Sequence, residues 1–177
     1  MKFLLKVLLG LSLIMAPYVS ASTSDAGYQL NSGDSISILV YGEDDLSIPN
    51  ILLTSDGQID YPYLGRVLVK GKTPKELKEE IEQKLKGDYL VNPKVMVSIN
   101  KFRAFYVNGE VRRPGSFEYQ PGLTIEKAIA IAGGLTDRAS RSNIHLTQSQ
   151  NGETIKKVSL SQKVSPGDIV VIEQSFF

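Results

Sequence analysis

The chain has 177 residues, 42% of them hydrophobic and 22% charged, a balance that suits a folded globular protein and excludes a disordered or fibrous one. Its formal net charge of +1 provides no concentrated basic surface of the kind nucleic acid selects, so nucleic acid is not an expected partner. It contains no cysteine, which removes thiol catalysis, thiolate metal sites, disulfides and lipid attachment at a signal-peptide cysteine.

The first segment, "MKFLLKVLLGLSLIMAPYVSA", sets Lys2 and Lys6 around the start of an apolar run, then Pro17 and the small residues Ser20 and Ala21. This pattern predicts a cleaved signal peptide over residues 1–21. The apolar run from Val7 to Met15 is short of the roughly 20 residues a membrane helix needs. Removing the segment takes away two lysines and no acid, so the charge moves from +1 to −1. No later apolar run approaches spanning length, and the expected location is the Gram-negative periplasm or the outside of the cell. Residues 22–27 are small and polar and read as a flexible leader.

In "YQLNSGDSISILVYG" a turn at Gly33-Asp34 leads into the alternation Ile36, Ile38, Val40 of a half-buried strand. "TSDGQIDYPYLGRVLVKG" carries a hairpin-type turn signal at Asp56-Gly57 and further short strands punctuated by Gly65 and Gly71. "TPKELKEEIEQKLKG" predicts the clearest helix: Thr73 as N-cap, Pro74 at the first helical position, Glu76 closing a capping box, and Gly87 as the stop. Leu77, Ile81 and Leu85 mark its buried face. "NPKVMVSINKF" then alternates Val95, Val97 and Ile99 as a strand.

A second unit begins near Lys101 to Ala104. "FYVNGEV" is strand-like, and "RRPGSFEYQPGLT" turns twice, with Gly109, Gly115 and Gly122 shaping the backbone and Pro114 and Pro121 setting turns. "TIEKAIAIAGGL" is a helix with Thr124 as N-cap and Gly133-Gly134 as its end. Two strands around an Asn151-Gly152 hairpin turn follow, and "VSPGDIVVIEQ" supplies a last strand entered through Gly167-Asp168. The pair "NSGDSISI" and "SPGDIVVI" is an internal echo in which both units use the same strand-entry turn. The predicted fold class is α+β: two small strand-rich modules, residues 28–103 and 104–177, each with one main helix.

The residues that carry chemistry are few. His145 is the only histidine, set between Ile144 and Leu146 in a predicted strand, and reads as structural and not as a general base. Asp44-Asp45 is a tight acidic pair in a loop, but neighbouring side chains diverge and cannot face each other across a sugar, and no EF-hand spacing follows. The glycine-rich stretch has no Gly-Lys-Ser/Thr and no dinucleotide fingerprint. An anion at the N-terminus of the Thr124 helix, helped by Arg112 and Arg113, stands against turn geometry with a solvated arginine pair. The aromatics Tyr61, Tyr63, Tyr89, Phe102, Phe105, Tyr106, Phe117 and Tyr119 either stack on sugars or form cross-strand core pairs, with core the commoner fate. No catalytic residue, metal site or cofactor is expected, and Arg112, Arg113 and Tyr119 are the candidate glycan or subunit contacts.

With these motifs in order, the sequence resembles the outer-membrane polysaccharide export proteins. "YQLNSGDSISILVYG", "SDGQIDYPYLGRVLVKGKTPKELKEEIEQKL" and "NPKVMVSI" resemble their periplasmic N-terminal domain. "VNGEVRRPGSFEYQPGLTIEKAIAIAGGL" with the closing "PGDIVVI" resembles the SLBB soluble-ligand-binding β-grasp domain that follows. The resemblance implies a non-catalytic part of a capsular or exopolysaccharide translocon, a homo-oligomeric ring docked on an inner-membrane copolymerase that is often linked to a tyrosine kinase. The chain departs from long members in lacking the lipid-bearing cysteine and in ending at Phe177 before an amphipathic pore helix, which implies a separate outer-membrane β-barrel partner or a periplasmic adaptor ring. Phe176-Phe177 reads as a docking tail or a frayed end. A stand-alone glycan-binding module is the second expectation, and a glycan-acting enzyme needing Asp44 or Asp45 the third.

Overall fold

The computed structural model describes residues 27–175; the expected signal peptide, most of the leader and the Phe176-Phe177 tail lie outside the described residues. The fold is α+β, with two α-helices, one short 3₁₀ helix and three sheets among the described residues. Each module is built around its own hydrophobic cluster, the first drawn from residues between Leu30 and Val95, the second from residues between Phe105 and Ile172.

In the first module β1 (Ser35–Val40) is the centre of a three-stranded antiparallel sheet, flanked by β2 (Ile48–Leu52) and β5 (Val95–Lys101). The alternation anticipated for β1 is present: Ile36, Ile38 and Val40 are buried, and Leu39 points to the outer face opposite Met96 of β5. Helix α1 (Pro74–Leu85) closes the core with Leu77, Ile81 and Leu85. Its capping box forms as expected, with Thr73 Oγ1 accepting the Glu76 N–H at 3.2 Å and the Glu76 carboxylate accepting the Thr73 N–H at 2.7 Å. Those bonds hold the Glu76 carboxyl below its ordinary range, the backbone N–H of Thr73 contributing most.

The Asp56-Gly57 turn is not a hairpin, contrary to the sequence expectation. It links β2 to β3 (Gln58–Tyr61), and β3 pairs instead with β4 (Gly65–Leu68) in a separate two-stranded sheet. The turn itself closes through Gly57 N–H to Thr54 O at 3.1 Å, and Gly57 O then accepts the N–H groups of Val69 and Lys70. A turn signal specifies local chain reversal, whereas pairing is decided by which strands share a buried face. The actual hairpin runs through Pro62-Tyr63-Leu64, where Tyr63 adopts a left-handed φ of 61°.

The second module is a five-stranded mixed sheet in the order β7 (Gly115–Phe117), β6 (Phe105–Gly109), β10 (Ile169–Gln174), β8 (Ala139–Thr147), β9 (Thr154–Ile155). Strands β6 and β10 are parallel and the other pairs antiparallel. Helix α2 (Ile125–Ile131) packs Ile125, Ala128 and Ile129 into the same core as Phe105, Val107, Ile144, Leu146, Val170 and Ile172, the helix-in-sheet grip of a β-grasp domain. The Asn151-Gly152 turn does join paired strands, β8 and β9.

Candidate functional site: the junction between the modules

The two Gly-Asp echoes of the sequence are echoes in space. Gly33 and Gly167 have φ of 89° and 88°, and the carboxylates of Asp34 and Asp168 each accept the N–H three residues back, from Asn31 and Ser165, at 2.8 Å. Each Asp also closes a β-turn through its own N–H, to Asn31 O and Ser165 O, both at 3.1 Å. Both carboxylates are withdrawn from solvent, Asp34 entirely and Asp168 to 3% exposure.

The linker between the modules sits between these turns. Arg103 Nη1 donates to Asp34 Oδ2 at 3.1 Å and to the Tyr28 hydroxyl at 2.6 Å, and the Arg103 backbone N–H donates to Asp34 Oδ1 at 2.8 Å. A Cβ on Gly33 would stand 3.2 Å from Arg103 Cβ, and one on Gly167 would stand 2.9 Å from Arg103 Nε. Both Gly-Asp turns therefore press on one arginine. Among the described residues, Arg103 Nε is the one buried side-chain nitrogen or oxygen without a hydrogen-bond partner. Asp168 is spent on the N–H groups of Ser149 and Ser165, and burial lifts its carboxyl above the ordinary range, opposed by those bonds and by the Arg103 charge.

Phe102 joins the modules through aromatic rings. Its ring meets Tyr28 edge-on at 5.0 Å on one side and Tyr119 at 5.4 Å on the other, which links the two modules through three rings. Arg103 also lies over the Tyr28 ring, 5.5 Å from its centre.

Beside this clamp a cleft of about 440 Å³ opens between the modules. One wall holds Tyr28, Gln29 and Asn31, and the other holds Tyr119, Gln148 and Gln150, with Arg103 and Asp168 also lining it. The Gln150 side-chain amide reaches across to Gln29 Oε1 at 3.5 Å.

Of the candidate contacts, Tyr119 lies in this cleft and Arg112 and Arg113 do not line it. The arginine pair runs beside the end of α2: Arg112 N–H donates to Gly134 O at 3.0 Å, Arg113 N–H to Ala132 O at 2.9 Å, and Arg113 Nη2 to Ile131 O at 2.9 Å. This placement agrees with the turn reading of the stretch and sets the arginines away from the other end of the helix, where the sequence offered an anion as the lesser alternative. Arg113 complements the negative C-terminal end, and the N-terminal N–H groups of Ile125, Glu126 and Lys127 already donate to Gln162 O, Leu160 O and Thr124 Oγ1.

The remaining candidates divide by burial. Tyr61 and Phe105 are core residues, the former donating to Leu46 O at 2.6 Å. Tyr63 and Tyr89 form an exposed ring pair at 5.3 Å, and Tyr106 is also exposed. His145 Nδ1 accepts the Lys157 N–H at 3.2 Å and Nε2 faces Glu173 Oε1 at 3.0 Å, so both ring nitrogens serve the sheet. Asp44 and Asp45 lie in a one-turn 3₁₀ helix, and no group of metal-ligating side chains occurs among the described residues. Arg103 and Tyr28 were not legible as site residues: Arg103 lies outside the quoted motifs, and Tyr28 opens the first of them without a chemical role of its own. The only sequence signal was the repeated Gly-Asp turn.

Two shielded phenols, Tyr28 at the junction and Tyr61 in the first core, give the first module a pH signature. Burial, followed by the bond to Asp34, pushes Tyr28 far above its ordinary range, and burial lifts Tyr61 to about 12. An unfolded tyrosine ionises near pH ~10, so these groups cost nothing below that pH and remove stability as pH rises from there towards the folded values. The expected alkaline titration shows a step in tyrosinate absorbance coincident with loss of circular dichroism. Smooth ionisation of every tyrosine while the dichroism stays native would contradict the burial.

Residues 22–100 match the family description "Polysaccharide biosynthesis/export protein", and residues 104–158 match the SLBB domain. The chain belongs to the polysaccharide export protein family. The export-family chain is 29% identical to the EPS I polysaccharide export outer membrane protein EpsA of Ralstonia nicotianae, over 83% of its own length and 47% of that protein. It is 36% identical to the exopolysaccharide production protein ExoF of Rhizobium meliloti, over 45% of its own length and 19% of that protein. The capsule polysaccharide export outer membrane protein CtrA of Neisseria meningitidis is 32% identical over 67% of this chain and 30% of its own length. The chain thus spans about half the length, or less, of these curated relatives. No described helix is long and apolar enough to cross a membrane.

Proposed function

We propose that this chain is a non-catalytic component of capsular or exopolysaccharide export, working in the periplasm in peripheral association with the outer membrane. Residues 28–103 and 104–177 act as its two modules. It forms or joins a homo-oligomeric ring that conducts the polymer between an inner-membrane copolymerase and an outer-membrane β-barrel.

The observation that carries this reading is the succession of both family domains, in order, over residues 22–158, together with similarity to relatives named for polysaccharide export. The junction supports it physically. A linker clamped by Asp34 and wedged between two tyrosines makes the pair of modules one stiff wall element, which a conduit requires more than a hinged one. Exposed apolar side chains on the first module, among them Leu39, Tyr41, Tyr63, Tyr89 and Met96, supply surface for neighbouring subunits or polymer.

The test is an in-frame deletion with secreted and cell-retained polysaccharide measured side by side, together with electron microscopy of complexes pulled down on the mature chain. Loss of secreted polymer and recovery of a symmetric ring are expected. Unchanged secretion would overturn the export role, and a strictly monomeric chain that captures neither a copolymerase nor a barrel would overturn the ring.

A further inference from the structure

We propose that the cleft between the modules is a binding site for a short hydroxyl-rich glycan segment, held by side-chain amides from both walls and by Tyr119. The proposal rests on the export reading above and adds to it a defined polymer contact, away from the arginine pair.

At about 440 Å³ the cleft falls within the size range of small-molecule sites, roughly 300–1,000 Å³. The two carboxylates of the junction are already committed. Asp34 is consumed by Arg103, Tyr28 and Asn31 N–H, and Asp168 by two backbone N–H groups. Beside Arg103 and Lys70, the cleft is lined by neutral polar side chains, Gln29, Asn31, Gln148 and Gln150. Primary amides are neutral side chains that donate and accept from adjacent atoms, as neighbouring sugar hydroxyls do.

Much of that capacity is unspent. Asn31 uses Oδ1 on the Ser32 N–H, and Gln148 uses Oε1 on Asn151 at 3.4 Å, while their amide nitrogens have no partner among the described residues. Gln150 and Gln29 meet across the opening only at 3.5 Å. A hydroxyl inserted between them exchanges that long contact for two shorter bonds, one to each module. Tyr119, half-buried against Phe102, adds an aromatic surface at the wall. The clamp beneath fixes the Tyr28 wall and the Phe102–Tyr119 ring contact ties the other wall to the same linker, so less ordering entropy opposes binding. Lys70, which also lines the cleft, adds a cation, which favours a uronate-bearing segment over a neutral one.

The test is an amide NMR titration of the mature chain with three probes: oligosaccharides from partial hydrolysis of the host's own secreted polysaccharide, hyaluronan hexasaccharide and cellohexaose. Shift changes confined to Tyr28–Asn31, Tyr119 and Gln148–Gln150 are expected, larger for acidic probes. The double variant Gln148→Ala, Gln150→Ala should bind roughly tenfold more weakly, the loss of about two neutral hydrogen bonds, with its other resonances unmoved. Gln29→Ala should weaken binding from the opposite wall. Absence of binding by all three probes, or shifts centred on the Tyr63–Tyr89 face with the cleft unmoved, would overturn the proposal. The two readings fail separately: secretion that depends on the chain while the cleft binds nothing sinks only the cleft, whereas unchanged secretion in the deletion strain sinks the export role.

Discussion

Asp34→Ala is expected to lower the unfolding free energy by about 3–5 kcal/mol, the range for removing one partner from a buried ion pair. The carboxylate is fully buried and accepts from the Tyr28 hydroxyl, Asn31 N–H, Arg103 N–H and the Arg103 guanidinium. Alanine leaves all four donors facing a cavity from which Arg103, only 16% exposed, cannot readily turn to water. The equivalent change at Asp168 removes two backbone N–H bonds and no direct ion pair, so about 1–3 kcal/mol is expected there. Urea denaturation of both variants checks the order. A loss at Asp34 within about 1 kcal/mol of wild type, the size of an ordinary substitution, would show that the clamp is not a stabilising element.

Gly109→Ala should be the more damaging of the backbone changes. A Cβ at this position would stand 2.0 Å from Ile172 O, and the residue has a φ of 85°. Gly109 pairs with Ile172 in the parallel β6–β10 ladder, and the same carbonyl accepts the Glu110 N–H at 3.0 Å. Strand β10 is the middle strand of its sheet, so relief of the clash would displace a strand paired on both sides. Overpacking and left-handed strain together predict a loss of about 3–5 kcal/mol. Gly122→Ala is the control: φ is 80° but nothing lies within 4 Å, so only the strain of about 1 kcal/mol remains. Thermal melts of the two variants should separate widely, and equal melting temperatures would refute the steric account.

Much of the fold was legible because its signals are local. Thr73, Pro74 and Glu76 specify a helix start whatever lies around them, and Leu77, Ile81 and Leu85 specify its buried side. The alternation of Ile36, Ile38 and Val40, and the glycines at 109, 122, 133 and 134 with left-handed φ, are likewise dictated within a few residues. Pairing was less legible. Asp56-Gly57 reverses the chain as its residues require, yet the strands on either side belong to different sheets.

The candidate site shows the same division more sharply. The amino-acid sequence by itself determined the two helices and the two Gly-Asp turns, because backbone sterics, capping and side-chain periodicity act over a few residues. It also determined the paucity of catalytic groups, with one histidine and no cysteine in the chain. Only the tertiary structure decided that residues 34, 103 and 168 gather at one junction, although the first and last are 134 positions apart. It alone sent Tyr119 to the cleft and Arg113 to the end of α2. The physical reason is that a buried charge must find its partner wherever the packed cores bring one, and that choice is made by the whole chain at once.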